Sequence, residues 1–462
     1  MERKRVVIIG AGTAGLTALS QVRRRTDDFV IINHGPYGTT CARVGCMPSK
    51  ALIEAANLFH KRLLYREMGI IAGEPAAVDG AAVMARVRRL RDRFVKGVLE
   101  ATENLGERNI PGLATILGPN LVGVNGREIQ ADSIIIAPGS VPVVPGPWRE
   151  LGNRLLTSDN LFDLEDLPRS MAVIGLGAIG LEMAQAMSRL GVHVEGFDAA
   201  PAMAGITDPE VGQRAVEILG GEFPIRLETQ VKIEPHGEEV RIENATFHKV
   251  LAAVGRNPHT ERLGLANLGV PLDEKGLPPV NPLTMQVGEM KVFLAGDANG
   301  RAPILHEAAD DGFIAGRNAL EETPREYCRR ARLGIVFTSP NIAVAGARFS
   351  ELNPEHTAVG RADFRNQGRA VTSGENHGII SVYAHTDTGE ILGSEMIAPG
   401  GEHLAHILAW AVQQRQTVAD LLRMPFYHPV LEEALRSALR NAAARMKKRP
   451  DEVSLCPGLP LE

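Results

Sequence analysis

One local plan occurs twice in this chain, and it limits the fold more than any other feature. Residues 6–9 are an apolar run of strand type, followed by Gly10-Ala11-Gly12-Thr13-Ala14-Gly15 and then an apolar helical stretch opening at Leu16. Residues 171–174, then Gly175-Leu176-Gly177-Ala178-Ile179-Gly180, then a helical stretch through Leu190 repeat the order. A single G-x-G-x-x-G is a weak motif; two, each after a strand and before a helix, are strong. The glycines allow the turn and let backbone amides approach a pyrophosphate at the positive end of the helix. The repeat implies two dinucleotide-binding units of α/β type, with Gly10, Gly12 and Gly15 in one site and Gly175, Gly177 and Gly180 in the other.

The residue ending the next strand refines each site. Asp198 falls about 20 residues after Gly175, where a carboxylate bonds a ribose 2′-hydroxyl and repels a 2′-phosphate. Residues 199–201 contain no arginine, so NAD is favoured over NADP. In the first unit, Asn33 holds the corresponding place, and its amide is a weaker ribose ligand.

Between the two glycine loops lie Cys41 and Cys46, half of the chain's four cysteines; the others are Cys328 and Cys456. So few cysteines exclude a secreted disulfide framework and point to a reducing, cytoplasmic compartment in which a close pair is redox-active. In a regular helix, Cα atoms five residues apart lie roughly 8 to 9 Å apart, and a disulfide needs less than about 7 Å. The segment must therefore bend for the sulfurs to bond. Gly45 and Pro48 predict an irregular turn feeding a helix that starts near Ser49. A zinc site is disfavoured, because the C-x4-C pair has no second ligand pair, and no metal is expected.

At 462 residues the chain divides into three or four domains. Its net charge of −5 gives no electrostatic case for nucleic acid or an anionic membrane surface, and no run reaches the ~18 apolar residues of a membrane helix. Arg86, Arg88, Arg89, Arg91 and Arg93 read as a solvated helix face. From residue 337 onward, strand runs at 342–344 and 379–383 precede helices at 401–414 and 430–446, an α+β ending. Two nucleotide sites and a dithiol form a relay, since a flavin exchanges hydride with nicotinamide on one side and electrons with a thiol on the other. The first unit, leading directly into Cys41, is the natural flavin site. His428, with Glu432 and Glu433 close behind, offers a proton acceptor.

Further motifs stand in order: residues 134–140 ending in Pro138-Gly139-Ser140, Val254-Gly255-Arg256-Asn257-Pro258, Ala295-Gly296-Asp297, Leu305-His306-Glu307-Ala308, Phe337-Thr338-Ser339-Pro340 and His428-Pro429. With the glycine loops and the run from Cys41 to Lys50, they make the chain resemble, over nearly its whole length, the flavin-dependent pyridine nucleotide-disulfide oxidoreductases, and among them most the dihydrolipoyl dehydrogenases. The resemblance implies two Rossmann-like domains, for FAD (1–147) and NAD (148–268), a central domain completing the FAD site (269–336), an α+β dimerisation domain (337–446) and a tail (447–462). It also implies a homodimer acting on a lipoylated carrier protein or lipoyl domain.

Position by position, the resemblance makes Cys41 the interchange sulfur attacked by dihydrolipoyl thiols and Cys46 the thiolate against the flavin. His428, held by Glu433 and contributed by the other subunit, becomes the base. Lys50 lies by the isoalloxazine and pairs with Glu182, Asp297 bonds the ribityl chain, and Ala114 and Leu305 contact the flavin through their backbones, with Gly139 in the same site. Gly177, Gly180, Asp198, Val231 and Gly255 line the nicotinamide cofactor site. Thr39, Thr40, Arg43, Pro138, Val430 and Asn33 depart from the usual residues without removing a catalytic atom. The alternatives are an NAD(P)H-dependent reductase of another disulfide and a redox-inactive flavoprotein assembly subunit. A mercuric reductase is disfavoured because the tail has only Cys456 where a vicinal pair is needed.

Overall fold

A computed structural model describes residues 2–71 and 76–447; the tail from 448, with Cys456, lies outside the described residues. The first unit comprises β1 (Glu2–Ile9), α1 (Thr13–Val22), β2 (Phe29–Asn33), α2 (Thr40–Val44), α3 (Cys46–His60), α4 (Gly80–Glu103), β3 (Asn109–Pro111), β4 (Thr115–Gly118), β5 (Leu121–Val124) and β6 (Arg127–Ile136). The strands form one sheet in the order β3-β2-β1-β6-β5-β4. β1 runs parallel to β2 and β6, and residues Val6 to Ile9 are almost wholly buried, as a strand covered on both faces requires. Helix α1 opens at Thr13, three residues before the expected Leu16, because the helix begins inside the glycine loop, with Gly12 as its N-cap.

The second unit repeats the plan. After β7 (Ser140–Pro142) and β8 (Leu155–Leu156) come β9 (Ser170–Ile174), α5 (Ala178–Arg189), β10 (His193–Phe197), α6 (Pro209–Gly220) and β11 (Ile225–Arg226), then an antiparallel meander of β12 (Ile233–His236), β13 (Glu239–Ile242) and β14 (Ala245–Phe247), and β15 (Lys249–Ala252). The parallel sheet runs β11-β10-β9-β15-β8. A strand β16 (Arg256–Pro258) pairs back with β7, so a two-stranded crossing joins the units. The chain then returns to the first sheet: β17 (Val292–Leu294) runs parallel to β6, and α7 (Leu305–Asn318) lies on α1. That approach is close, because a Cβ on Gly312 would sit 2.2 Å from the carbonyl oxygen of Ala14.

The remainder is an antiparallel sheet of β18 (Leu333–Val336), β19 (Asn341–Gly346), β20 (Thr357–Asp363), β21 (Ile379–His385) and β22 (Ile391–Ala398), ordered β18-β19-β22-β21-β20. Helices α8 (Gly368–Ser373), α9 (Gly401–Gln413), α10 (Val418–Leu422) and α11 (Glu433–Ala443) accompany it, giving the expected α+β ending. The last helix is shorter than the expected 430–446, because a turn at Leu431 and Glu432 keeps the residues before Glu433 out of the helix. The arginines of α4 are not all solvated: Arg86 donates to the carbonyl of Ala51, Arg88 to that of Leu164, and Arg91 pairs with Asp163. They fasten the long helix to its neighbours. No helix among the described residues is long and apolar enough to cross a membrane.

A buried polar cluster fixes the second unit against the C-terminal sheet. Glu395 on β22 is 0% exposed, and it accepts hydrogen bonds from the backbone N–H of Thr207 (2.7 Å), Asp208 (2.9 Å) and Phe349 (2.9 Å) and from the Thr207 hydroxyl (2.6 Å). Asp208 caps α6 and receives Arg361 and the Tyr383 hydroxyl, both at 3.0 Å. Burial, then the charge of Asp208, pushes the Tyr383 hydroxyl far above its ordinary range, so it stays a donor. A carboxylate satisfied by four donors is stable in a dry site; removing it strands the donors. Glu395→Ala is expected to destabilise the protein by about 3 kcal/mol or more, read as a lowered midpoint in thermal or urea unfolding.

Candidate active site

The redox segment bends where the sequence requires. Helix α2 ends at Val44 and α3 begins at Cys46, with Gly45 between them at φ −123°, ψ −117°. A Cβ at Gly45 would lie 3.2 Å from the Cα of Cys41, so the absence of a side chain lets the two turns close on each other. Helix α3 starts three residues before the expected Ser49. Pro48 is no obstacle there, since the first turn of a helix has no intrahelical partners for its amides. Thr39 takes φ 49°, a left-handed value costly for a branched residue, and its hydroxyl caps α2 by accepting from the N–H of Ala42 at 3.2 Å.

Both cysteines of the pair are half-buried, and Cys328 is exposed. The two sulfurs titrate as a unit. The Cys41 thiol donates to the Cys46 sulfur, which, with Lys50 adding positive charge against the cost of burial, lowers Cys46 to about 7. The same hydrogen bond, then burial, pushes Cys41 far up. Cys46 also stands at the first position of α3, where the helix dipole favours a thiolate. Of the two sulfurs, Cys46 is thus the one that ionises the more readily.

Lys50, one turn along α3, forms a bidentate pair with Glu182 of α5 at 2.9 and 3.0 Å, and its ammonium lies 4.2 Å from the ring centroid of Phe337. Glu182, with a side chain 7% exposed, also accepts from the Phe337 backbone N–H at 3.0 Å. The expected Lys50–Glu182 pair is present; the part of Phe337 was not legible, because only the fold brings residue 337 there.

The two glycine loops match in detail. Gly10 and Gly175 have φ of 104° and 93°, and a Cβ on Gly15 or Gly180 would lie within 2 Å of the carbonyl oxygen of Gly10 or Gly175. Gly12 and Gly177, at the two helix N-termini, face open space within 4 Å, a cradle that fits a pyrophosphate. In both copies the residue ending the second strand turns into the loop: Asn33 accepts from the N–H of Ala11 at 3.0 Å, and Asp198 from that of Leu176 at 2.6 Å and that of Ala200 at 2.8 Å. Gly10, Asn33 and Ala114 line one small cavity with Pro138, beside a larger one of about 420 Å³ between His34, Val141, Arg149 and Arg262. These residues fit a flavin dinucleotide at the first loop and a nicotinamide dinucleotide at the second.

Asp297 follows β17 and accepts from the Ser140 hydroxyl at 2.6 Å. Ser140 is in turn held by Arg256, which donates to its hydroxyl (2.8 Å) and its carbonyl (2.7 Å). This chain of contacts crosses both units, and Ser140 and Arg256 were visible in the sequence only as motif letters. The crossing strands also place Gly139 and Gly255, whose carbonyls accept from the N–H of His259 and Val143. Leu305 opens α7 and is exposed. Val231 packs partly buried against the cluster around Leu151 and Phe247, so its side chain serves that core.

His428 is 78% exposed, and its Nδ1 lies 3.1 Å from Glu433 at the start of α11. The His428 ring and the Val430 N–H hold the Glu433 carboxyl below the usual carboxylate range. Within one chain His428 has no hydrogen bond to either cysteine among the described residues.

Comparison with known proteins bears on this geometry. The model of the pyridine nucleotide-disulphide oxidoreductases matches residues 4–312, and that of the dimerisation domain of the same family matches residues 333–439. The chain is similar to dihydrolipoyl dehydrogenase 2 of Haloarcula marismortui, 29% identical over 95% of this chain and 96% of that one. It is 30% identical to the dihydrolipoyl dehydrogenase of Manduca sexta, over 95% and 92% of the two chains. Among solved structures, the HOCl-induced flavoprotein disulfide reductase RclA of Escherichia coli matches with a TM-score of 0.83 at 22% identity, over 95% and 99% of the two chains, a likeness of fold.

In the reduced protein, alkylation at Cys46 is expected to rise with pH through about 7, because the thiolate is the nucleophile. Lys50→Met is expected to move that profile to higher pH, since it removes a charge that favours the thiolate. Site-resolved mass spectrometry after timed labelling measures both.

Proposed function

The chain belongs to the pyridine nucleotide-disulphide oxidoreductases, enzymes that use FAD and NAD(H), and from that premise we propose that it oxidises protein-bound dihydrolipoyl groups and reduces NAD⁺. The observation that carries the reading is the bend at Gly45, which folds Cys41 against the turn that opens at Cys46, with the Lys50–Glu182 pair one turn further along the same helix. Relatives of nearly the same length, named dihydrolipoyl dehydrogenases, support the substrate class.

In this reading the resting pair is a disulfide. A substrate thiolate attacks the Cys41 sulfur, the Cys41–Cys46 bond breaks, and Cys46 leaves as the thiolate that Lys50 and the helix end stabilise. The second substrate thiol then displaces Cys41, so the substrate leaves as a cyclic disulfide and the pair holds its two electrons. His428, oriented by Glu433, takes the proton from the attacking thiol. Bound FAD would supply the two-electron exchange between the dithiol on the Cys46 side and the nicotinamide nucleotide. Gly10, Gly12, Gly15, Asn33, Ala114, Gly139, Asp297 and Leu305 hold the flavin, and Gly175, Gly177, Gly180, Asp198, Val231 and Gly255 the nicotinamide nucleotide. Residues 1–147, 148–268, 269–336 and 337–446 act as the FAD, NAD, central and interface domains. The exposed His428 serves a neighbouring copy in a homodimer, in a cytoplasmic, reducing setting that suits a chain with four cysteines.

An anaerobic assay of NAD⁺ reduction by dihydrolipoamide and by lipoylated carriers, with glutathione alongside, tests the substrate; reduction of another disulfide in place of dihydrolipoyl oxidation would overturn it. His428→Gln is expected to lower dihydrolipoamide turnover by about 10²–10⁴-fold with unchanged FAD content, measured by steady-state kinetics and flavin absorbance. Through Asp198, kcat/KM for NAD⁺ is expected to exceed that for NADP⁺ in the same assay, and equal values would remove that role.

A further inference from the structure

A second group of donors lies on the C-terminal sheet, unconnected with the redox relay. His356 precedes β20, His385 closes β21, and Asp387 sits in the turn after it. The ladder pairs Thr357 with His385, and the Thr386 N–H donates to the carbonyl of His356 at 2.9 Å, so the backbones of the two histidines are held side by side. Their rings are parallel to within 1°, with centroids 5.9 Å apart. One donor atom from each of His356, His385 and Asp387 lies within 4.8 Å of the other two. A tetrahedral ion with bonds of about 2.0–2.1 Å needs donors about 3.4 Å apart. His356 and Asp387 are exposed and His385 half-buried, and an ion would require these side chains to rotate toward one another by that difference.

We propose that His356, His385 and Asp387 bind one divalent first-row transition ion, Zn²⁺ in the first instance. Two imidazoles and one carboxylate are the ligands of such an ion, whereas Mg²⁺ and Ca²⁺ take oxygen sets. Water completes the coordination. His385 Nδ1 faces the N–H groups of Asp387 and Thr388, both at a long 3.3 Å, weak contacts that leave the ring able to turn. Of the neighbouring charges, which include Glu390 beside His385, Lys447 holds its ammonium 3.0 Å from Asp387 and competes with the ion for the carboxylate. The Lys447 N–H also donates to the carbonyl of Thr386. The ion would therefore sit where the chain leaves α11, about 16 Å along that helix from its Glu433 end.

The test uses the flavin-loaded protein with its cysteine pair oxidised and remaining thiols alkylated, so that no sulfur competes. After chelator treatment, calorimetric titration with ZnCl₂ is expected to show one ion per chain, and MgCl₂ no uptake. His356→Ala and His385→Ala are each expected to weaken Zn²⁺ binding by at least about tenfold, the loss that even an outer-shell change brings. Lys447→Ala is expected to tighten it. Flavin content and melting midpoint establish that each variant is folded. No saturable Zn²⁺ uptake, equal uptake of Mg²⁺, or unchanged affinity in the His356→Ala/His385→Ala double variant would overturn the site; unchanged or weaker binding in Lys447→Ala would remove Asp387 from it.

Discussion

The buried contact of Lys50 with Glu182 and Phe337 is the joint on which the arrangement turns. Lys50 belongs to the helix that carries Cys46, Glu182 to the helix after the second glycine loop, and Phe337 to the start of the C-terminal sheet domain. Loss of Lys50 would leave Glu182, with its side chain 7% exposed, buried without a counter-charge, a cost of about 3–5 kcal/mol. One ammonium therefore does two things: it locks three pieces of chain together and sets positive charge beside the sulfur that ionises. Stability and reactivity share the same atoms.

Around that joint the molecule repeats one solution with altered endings. Both loops use a left-handed glycine, a close helix–strand crossing and an open helix N-terminus. The copies differ at the strand end, where Asn33 is neutral and Asp198 charged, and in the segment beyond it. The first copy leads to the cysteine bend, the second to α6 and the buried Asp208–Glu395 cluster. The two-stranded crossing of β7 and β16 lets Arg256 of the later segment hold Ser140 of the earlier one, and through it Asp297. The Asp297 carboxylate is thus held, through Ser140, by an arginine that lies beyond the second sheet in the chain.

Much of this was legible in the amino-acid order, and the misses are local or long-range in distinct ways. The strand–loop–helix repeats, the bend at Gly45 and the α+β ending all come from short-range rules. Helix ends were misjudged because caps decide them: Gly12 starts α1 early, Gly45 starts α3 early, and the turn at Leu431 and Glu432 starts α11 late. The arginines of α4 read as solvated, since charge spacing does not show which backbone carbonyls lie opposite.

The sequence by itself determined the paired nucleotide loops, the spacing that forces a bend between Cys41 and Cys46, and a carboxylate rather than an arginine at the second ribose position, because each depends on residues within a few positions of one another. Only the tertiary structure decided what Lys50 touches besides Glu182 and how Arg256, Ser140 and Asp297 connect. Those contacts join residues more than 100 positions apart, and no local periodicity encodes them: they arise only when the sheets and helices pack and bring partners to the charged groups they bury.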